Sequence, residues 1–295
     1  MTAYDTLDVP VRGGDLLVGR WASGDVAAGA TPTTVVLAAH GVTANHAAWW
    51  PVARRLTAAR EGVLVLAPDL RGRGGSGGLP DPWGMATHVE DLAAVLDAVR
   101  PARAVVVGHS MGGFVAAAFA ATHPDRLARL VLVDGGVPFP LPSGTTPAEA
   151  TAAVLGPALA RLSMRFDDLG AYRDFFRAHP AIGPLWDEDV ERYVDHDFAD
   201  GRSSVRADAV AEDSAQLYED GPVTAAWARL AGPVAFLRAP GGMLGAPPGL
   251  YPPDVLARWA ATHPALEVRD VDGVDHYSIV LGPVGAAAVA AVVDP

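Results

Sequence analysis

A serine sits between two glycines in RAVVVGHSMGGFVAAAFAA, residues 103–121. The apolar run 104–107 reads as a strand and the small residues from Met111 onward as a helix, so Ser110 falls at a strand-to-helix turn. A turn that sharp needs small neighbours, and Gly108, Gly112 and Gly113 supply them. The helix behind it points free N–H groups and its positive end at the hydroxyl. That is the setting of a nucleophile, and the plainer alternative is a structural turn that happens to hold a serine.

A lone serine needs a base. Of the nine histidines, His123 and His263 lie in THP strings and fit as helix caps. His179 and His196 fall in a region without strands, His88 near a helix start, and His109 beside the serine but projecting differently. His276 differs because it follows the last predicted strand by a short loop, in DVDGVDHYSIV, at the edge where Ser110 also sits. His276 is therefore the expected base. Oxyanion stabilisation needs two backbone donors. Met111, after the serine, offers one N–H; Val42, in the His40-Gly41-Val42 turn after an earlier strand, offers the other, with Gly41 permitting close approach.

The elements that would hold these groups alternate along the chain. Segments 5–11 and 15–21 read as a hairpin around Gly13-Gly14; strands follow at 34–39, 63–67, 104–107 and 130–133, with helices at 46–60, 85–99 and 111–123. This rhythm implies an α/β fold, a mostly parallel sheet wrapped by helices. It then breaks: between Gly135 and Ala231 no buried strand is legible, and strands return only at 233–237 and 267–271 before a closing helix from about residue 280. The expected organisation is a core of residues 1–134 and 232–295 with a helical cap at 135–231, over the edge where open α/β sheets bind ligands.

With half of 295 residues hydrophobic, one large core is expected. The 22 basic residues, all arginine, face 34 acids, and a net charge of −12 argues against nucleic acid or an anionic membrane as partner. The absence of cysteine excludes disulfides and thiolate chemistry. The N-terminal stretch MTAYDTLDVPVRGG lacks the apolar core of a secretory signal, and no apolar run is long enough for a membrane helix, so a cytoplasmic protein is expected. No metal, nucleotide or flavin motif is visible; no cofactor is implied, and the expected partner is a small-molecule substrate.

Taken in order, LAAHGVTANHAAWWPVARRL, VLAPDLRGRGGSG, VVVGHSMGG, LVLVDGG and VDHYSIVL resemble the α/β-hydrolase superfamily from about residue 34 to the end, apart from the variable cap. The resemblance implies an eight-stranded, mostly parallel sheet with a lid after strand six, Ser110 as nucleophile, His276 as base, and Val42 and Met111 as oxyanion donors. It gives Asp69-Leu70-Arg71-Gly72 a structural part in the loop after strand four. The third triad member departs from many relatives, because the loop after strand seven, RAPGGMLGAPPGLYPPD, has no acid before Asp254. Some relatives keep their acid at the end of strand six, where Asp134 stands 24 residues after Ser110 (134 − 110). Asp134 is the expected acid, with Asp254 in reserve and Asp275 a weaker choice because it adjoins His276.

The resemblance implies acyl transfer through an acyl-enzyme, on a carboxylic ester or lactone of a small to medium apolar or cyclic substrate. A serine rather than a carboxylate at the turn disfavours dehalogenase and epoxide-hydrolase chemistry. A carbon–carbon bond hydrolase acting on a diketone-type substrate, and a non-catalytic ligand-binding member of the fold, stay open. Expected substrate-contacting residues are Gly41, Asn45, Trp49, Phe114, Trp186, Met243 and Tyr277, alongside cap aromatics.

Overall fold

A computed structural model describes residues 2–293 apart from Asp220 and Ala231. The expected end of the insertion at Ala231, and the chain ends at Met1 and Asp294-Pro295, lie outside the described residues. Strands β1 (Ala3–Val11) and β2 (Gly14–Ala22) pair as an antiparallel hairpin closed by Val11 opposite Gly14. Next come β3 (Thr34–Ala39), β4 (Val63–Pro68), β5 (Ala104–His109), β6 (Leu127–Val133), β7 (Val234–Arg238) and β8 (Leu266–Asp270). All eight form one sheet in the order β1-β2-β4-β3-β5-β6-β7-β8, parallel from β4 to β8.

Continuous apolar runs are what a sheet covered on both faces requires. Val35 and Leu37 of β3, Val106 of β5 and Leu132 of β6 belong to one core, with α2 (Met85–Val99) and α3 (Met111–Thr122). Val36, Ala38, Val107 and Val133 point the other way, into a second core with α1 (Trp50–Ala59). Each buried valine or leucine among these contributes about 1.5–3 kcal/mol relative to exposure, so the register of the strands is fixed on both faces. β3 leads to β4 on one side, and β5 leads to β6 on the other. The C-terminal ends of β3 and β5 therefore flank the point where the sheet's winding reverses, the usual ligand crevice of such sheets.

Between β6 and β7 the chain forms α4 (Pro147–Ser163), α5 (Leu169–Arg177), α6 (Glu188–Asp197), α7 (Ala207–Ser214) and α8 (Pro222–Trp227). A two-residue hairpin, Phe198–Ala199 with Arg202–Ser203, lies outside the main sheet. α8 packs with the sheet's own helices: Trp227 is buried in the first core, and its Nε1 donates to the Gly136 carbonyl at 2.7 Å.

Local departures from the sequence reading have local causes. The expected helix over 46–60 is a 3₁₀ turn, His46–Trp49, followed by α1, because Pro51 has no N–H to continue a ladder from the preceding turn. Gly282-Pro283 likewise splits the closing helix into a turn, Ser278–Leu281, and a longer helix, Pro283–Val293. Pro253–Thr262 is a helix the sequence reading did not mark; it starts at a proline pair and buries Val255 and Leu256. No helix among the described residues is long and apolar enough to cross a membrane.

Candidate active site

Ser110 follows β5 and caps α3 with φ 54° and ψ −127°, a left-handed conformation rare for a residue with a side chain. Close packing holds it there. A Cβ on Gly112 would lie 2.1 Å from the Ala39 carbonyl oxygen, and one on Gly135 would lie 2.0 Å from that of Ser110 itself. The GHSMGG and DGG strings thus interlock backbone against backbone, and no larger residue fits at either contact. The Ser110 N–H donates to the Val133 carbonyl at 3.0 Å, tying the turn to the end of β6.

The end of β6 brings Asp134, which is fully buried and has φ 45°. Its Oδ1 accepts from the Ala239 N–H at 3.1 Å, and its Oδ2 accepts from His276 Nδ1–H at 2.7 Å. This bond places the imidazole proton on Nδ1 and leaves Nε2 free for a reacting hydroxyl. His276 is only 3% exposed, and with Ser110, Gly41 and Val42 it lines one narrow cavity. The reserve acids lie elsewhere. Asp254 is exposed in the first turn of Pro253–Thr262, and Asp275 Oδ1 accepts from the N–H groups of Tyr277 and Ser278, capping the turn after His276.

Val42 and Met111 both line the cavity wall beside Ser110, and their N–H groups donate to no other group among the described residues. Three side chains that sequence reasoning did not assign hold this corner. His40 Nδ1–H donates to the Gly41 carbonyl at 2.8 Å while its Nε2 accepts from the Leu70 N–H at 2.9 Å. Burial pushes its pKa down to about 3, so it stays neutral and keeps both bonds. His109 Nε2–H donates to the His276 carbonyl at 2.8 Å, and burial followed by the nearby His276 holds its pKa well below the usual histidine value. Arg73, fully buried, donates through Nε to the Val42 carbonyl at 2.9 Å and through Nη1 to Asp213 of α7 at 2.5 Å. The strand-end position of His40 and His109 is a usable signal; nothing local marks Arg73.

Asp69, fully buried, opens the loop after β4. It accepts from the N–H groups of His46 and Gly75 at 2.7 Å each, and from His196 Nε2 of α6 at 2.6 Å.

Two spaces of 310 Å³ each, the two lobes, share lining residues with that narrow passage, and Ser110 lines the first of them. Leu155 of α4 lines both lobes and the passage. Of the expected contact residues, Gly41, Met243 and Tyr277 line these spaces. Four others line none of the three. Asn45 is buried with both ends of its amide used: Oδ1 caps the turn at Ala47 and Nδ2 donates to the Tyr193 carbonyl at 2.9 Å. Trp49 and Phe114 are core residues at 1% and 0% exposure. Trp186 lies under the Arg177 guanidinium, 4.4 Å from ring centre to charge. Phe139, Phe175, Phe176 and Tyr193 of the inserted segment do line the lobes, whereas Phe166 and Tyr172 pack with one another.

The fold and this edge define a class of protein, and comparison with known proteins places the chain in it. The family model described as alpha/beta hydrolase fold matches residues 34–221, and the chain belongs to that family. Lipase LipV of Mycobacterium tuberculosis is 43% identical over 102 residues, 35% of this chain and 37% of the relative. The chain thus spans just over a third of that curated relative. A thioesterase domain from the curacin biosynthetic pathway superposes with a TM-score of 0.74 at 23% identity over 99% of both chains. An E-2-(acetamidomethylene)succinate hydrolase gives 0.73 at 22% identity, over 99% of this chain and 100% of its own. At such identities these two likenesses speak for the fold alone.

Proposed function

We propose that the protein is a serine hydrolase that cleaves a carboxylic ester or lactone through an acyl-enzyme. The observation that carries this reading is the 2.7 Å Asp134–His276 pair opening into the cavity that Ser110 shares with two unspent backbone N–H groups. In the mechanism, His276 Nε2 takes the Ser110 proton as Oγ attacks the carbonyl carbon, and the N–H groups of Val42 and Met111 hold the oxyanion. The protonated imidazole, stabilised by Asp134, then gives its proton to the departing oxygen. Water, deprotonated by His276, attacks the acyl carbon, releasing the acid and restoring Ser110. The inserted helices act as a cap: α4 lays Ala150, Val154 and Leu155 over the cavity, and the Arg73–Asp213 and His196–Asp69 contacts fasten the cap to the core.

The test is turnover of short and medium p-nitrophenyl esters by the purified protein and by Ser110→Ala. The expected result is a loss of at least about a thousandfold in the variant. Equal rates in both proteins would overturn the reading and favour a fold kept for binding.

A further inference from the structure

The two lobes differ in what they offer a substrate, and their positions relative to the reacting groups differ as well. The first shares Ser110, Val42 and Met111 with the oxyanion corner, and its far walls are apolar, among them Phe139, Leu217 and Val255. The second lies on the side of Met243 and Tyr277, the loops that follow β7 and β8, and so on the side of His276. A leaving oxygen must lie within reach of the imidazole that protonates it. The acyl chain then extends away from that imidazole, past the oxyanion donors.

The second lobe also carries uncharged hydrogen-bonding groups with nothing to bond. The hydroxyls of Tyr193 and Tyr277 have no hydrogen-bond partner among the described residues, and both residues line this lobe. Burial keeps both phenols protonated, that of Tyr277 with its pKa pushed up to about 12. His179 Nδ1 accepts from the Ala181 N–H at 3.2 Å, which puts the proton of the neutral ring on Nε2, where no described residue takes it. Burial lowers the pKa of His179, so the ring is a neutral donor. Arg161, the one cation among the described residues of this wall, is spent on Asp197, Tyr172 and the Thr43 carbonyl, and so offers no free charge to an anionic group.

Resting on the serine-hydrolase reading, we propose that the substrate joins a compact apolar acyl group, seated in the Phe139–Leu217 lobe, to an uncharged, oxygen-bearing alcohol, seated against Tyr193, Tyr277 and His179. Leu155 divides the two halves.

The experiment compares kcat/KM for three esters: monohexanoylglycerol, propyl hexanoate and propyl acetate. The first two differ only in the hydroxyls of the leaving group, and the last two only in acyl length. The proteins are wild type, Ser110→Ala, Leu217→Trp, and the double variant Tyr193→Phe with Tyr277→Phe, all checked for folding by circular dichroism. The expected wild-type preference for the glyceryl over the propyl ester is about tenfold, shrinking to about threefold or less in the double variant with the hexanoate-to-acetate ratio unchanged. Leu217→Trp is expected to cut the hexanoate-to-acetate ratio about tenfold and leave the glyceryl preference alone. Turnover that depends on Ser110 but shows the two effects exchanged, or neither, overturns the assignment of lobes while sparing the serine mechanism. Turnover of all three esters that survives Ser110→Ala, or no turnover at all, removes the underlying reading and this proposal with it.

Discussion

The sheet edge and the inserted helices are built by different means. At the edge, Ser110, Gly113 and Gly135 meet through backbone atoms and Gly112 meets the Ala39 backbone, so the position of the hydroxyl is set by contacts that admit no larger side chain. In the insertion, long side chains do the holding. Arg161 of α4, Tyr172 of α5 and Asp197 of α6 share one buried hydrogen-bonded cluster, which Ser203 joins with its Oγ 2.9 Å from both Asp197 oxygens. Backbone packing gives a rigid site with a single geometry. A buried ion-pair cluster holds only while every partner is present.

Four substitutions would break or sharpen that contrast. Asp134→Asn should cost the most, about 4–5 kcal/mol of barrier, or a thousandfold or more in kcat, with little loss of thermal stability. Steady-state kinetics beside a melting curve checks both halves; near-normal kcat would remove Asp134 from the mechanism. Gly112→Ala should cost about 3 kcal/mol or more of stability and depress kcat as well, because the added methyl meets backbone and no rotamer relieves it. Chemical denaturation measures the first effect, and an unchanged midpoint would show the turn to be looser than described here. Asp197→Ala should cost about 3 kcal/mol by leaving the Arg161 charge buried and unpaired, and should raise KM more than it lowers kcat. A kcat loss as large as that of Gly112→Ala would deny the distinction between the two regions.

The smallest effect is pH-linked. Burial alone would lower the pKa of His196, but its hydrogen bond and attraction to Asp69 overcome this and leave it raised. A raised histidine stabilises the fold fully below the unfolded value of about 6.5, and that contribution fades as pH climbs through the folded value. Burial also pushes Asp69 up, but His46 and His196 outweigh it and hold the carboxyl well below its usual range. Its contribution is present above the unfolded aspartate value of about 3.9 and is lost as pH falls through the folded one. The tie between α6 and the core is therefore strongest between those two limits. His196→Gln should lower Tm by a few degrees near pH 5.5 and by less near pH 8.5. Equal losses at both values would mean that the tie carries no charge.

The same contrast explains what could be read from the chain itself. The strands of the core were legible because each is a short apolar run bounded by turn residues. The turn at Ser110 was legible because close backbone contact dictates glycine at fixed offsets. Asp134 was reached through the family resemblance, by its spacing from Ser110, and the two residues end adjacent parallel strands, β5 and β6. The lining of the cavity was not legible to the same degree. Trp49, Phe114 and Trp186 look like ligand-contacting aromatics in a sequence, yet Trp49 and Phe114 lie in the two cores and Trp186 beneath Arg177. Asn45 has the chemistry of a substrate contact and is consumed by a helix cap and by Tyr193. Arg73 reaches Val42 and Asp213 across 31 and 140 positions in the chain, and such partners leave no local pattern.

The central claim is that Ser110 forms a covalent bond with the acyl group while Asp134 and His276 drive its formation. The direct measurement is intact-mass analysis after brief, acid-quenched exposure to p-nitrophenyl hexanoate, followed by peptide mapping. The account predicts one hexanoyl adduct, located on the peptide that contains Ser110, absent in Ser110→Ala and slower to form in Asp134→Asn. Release of nitrophenol with no adduct on that peptide, or an adduct that persists in Ser110→Ala, would contradict it.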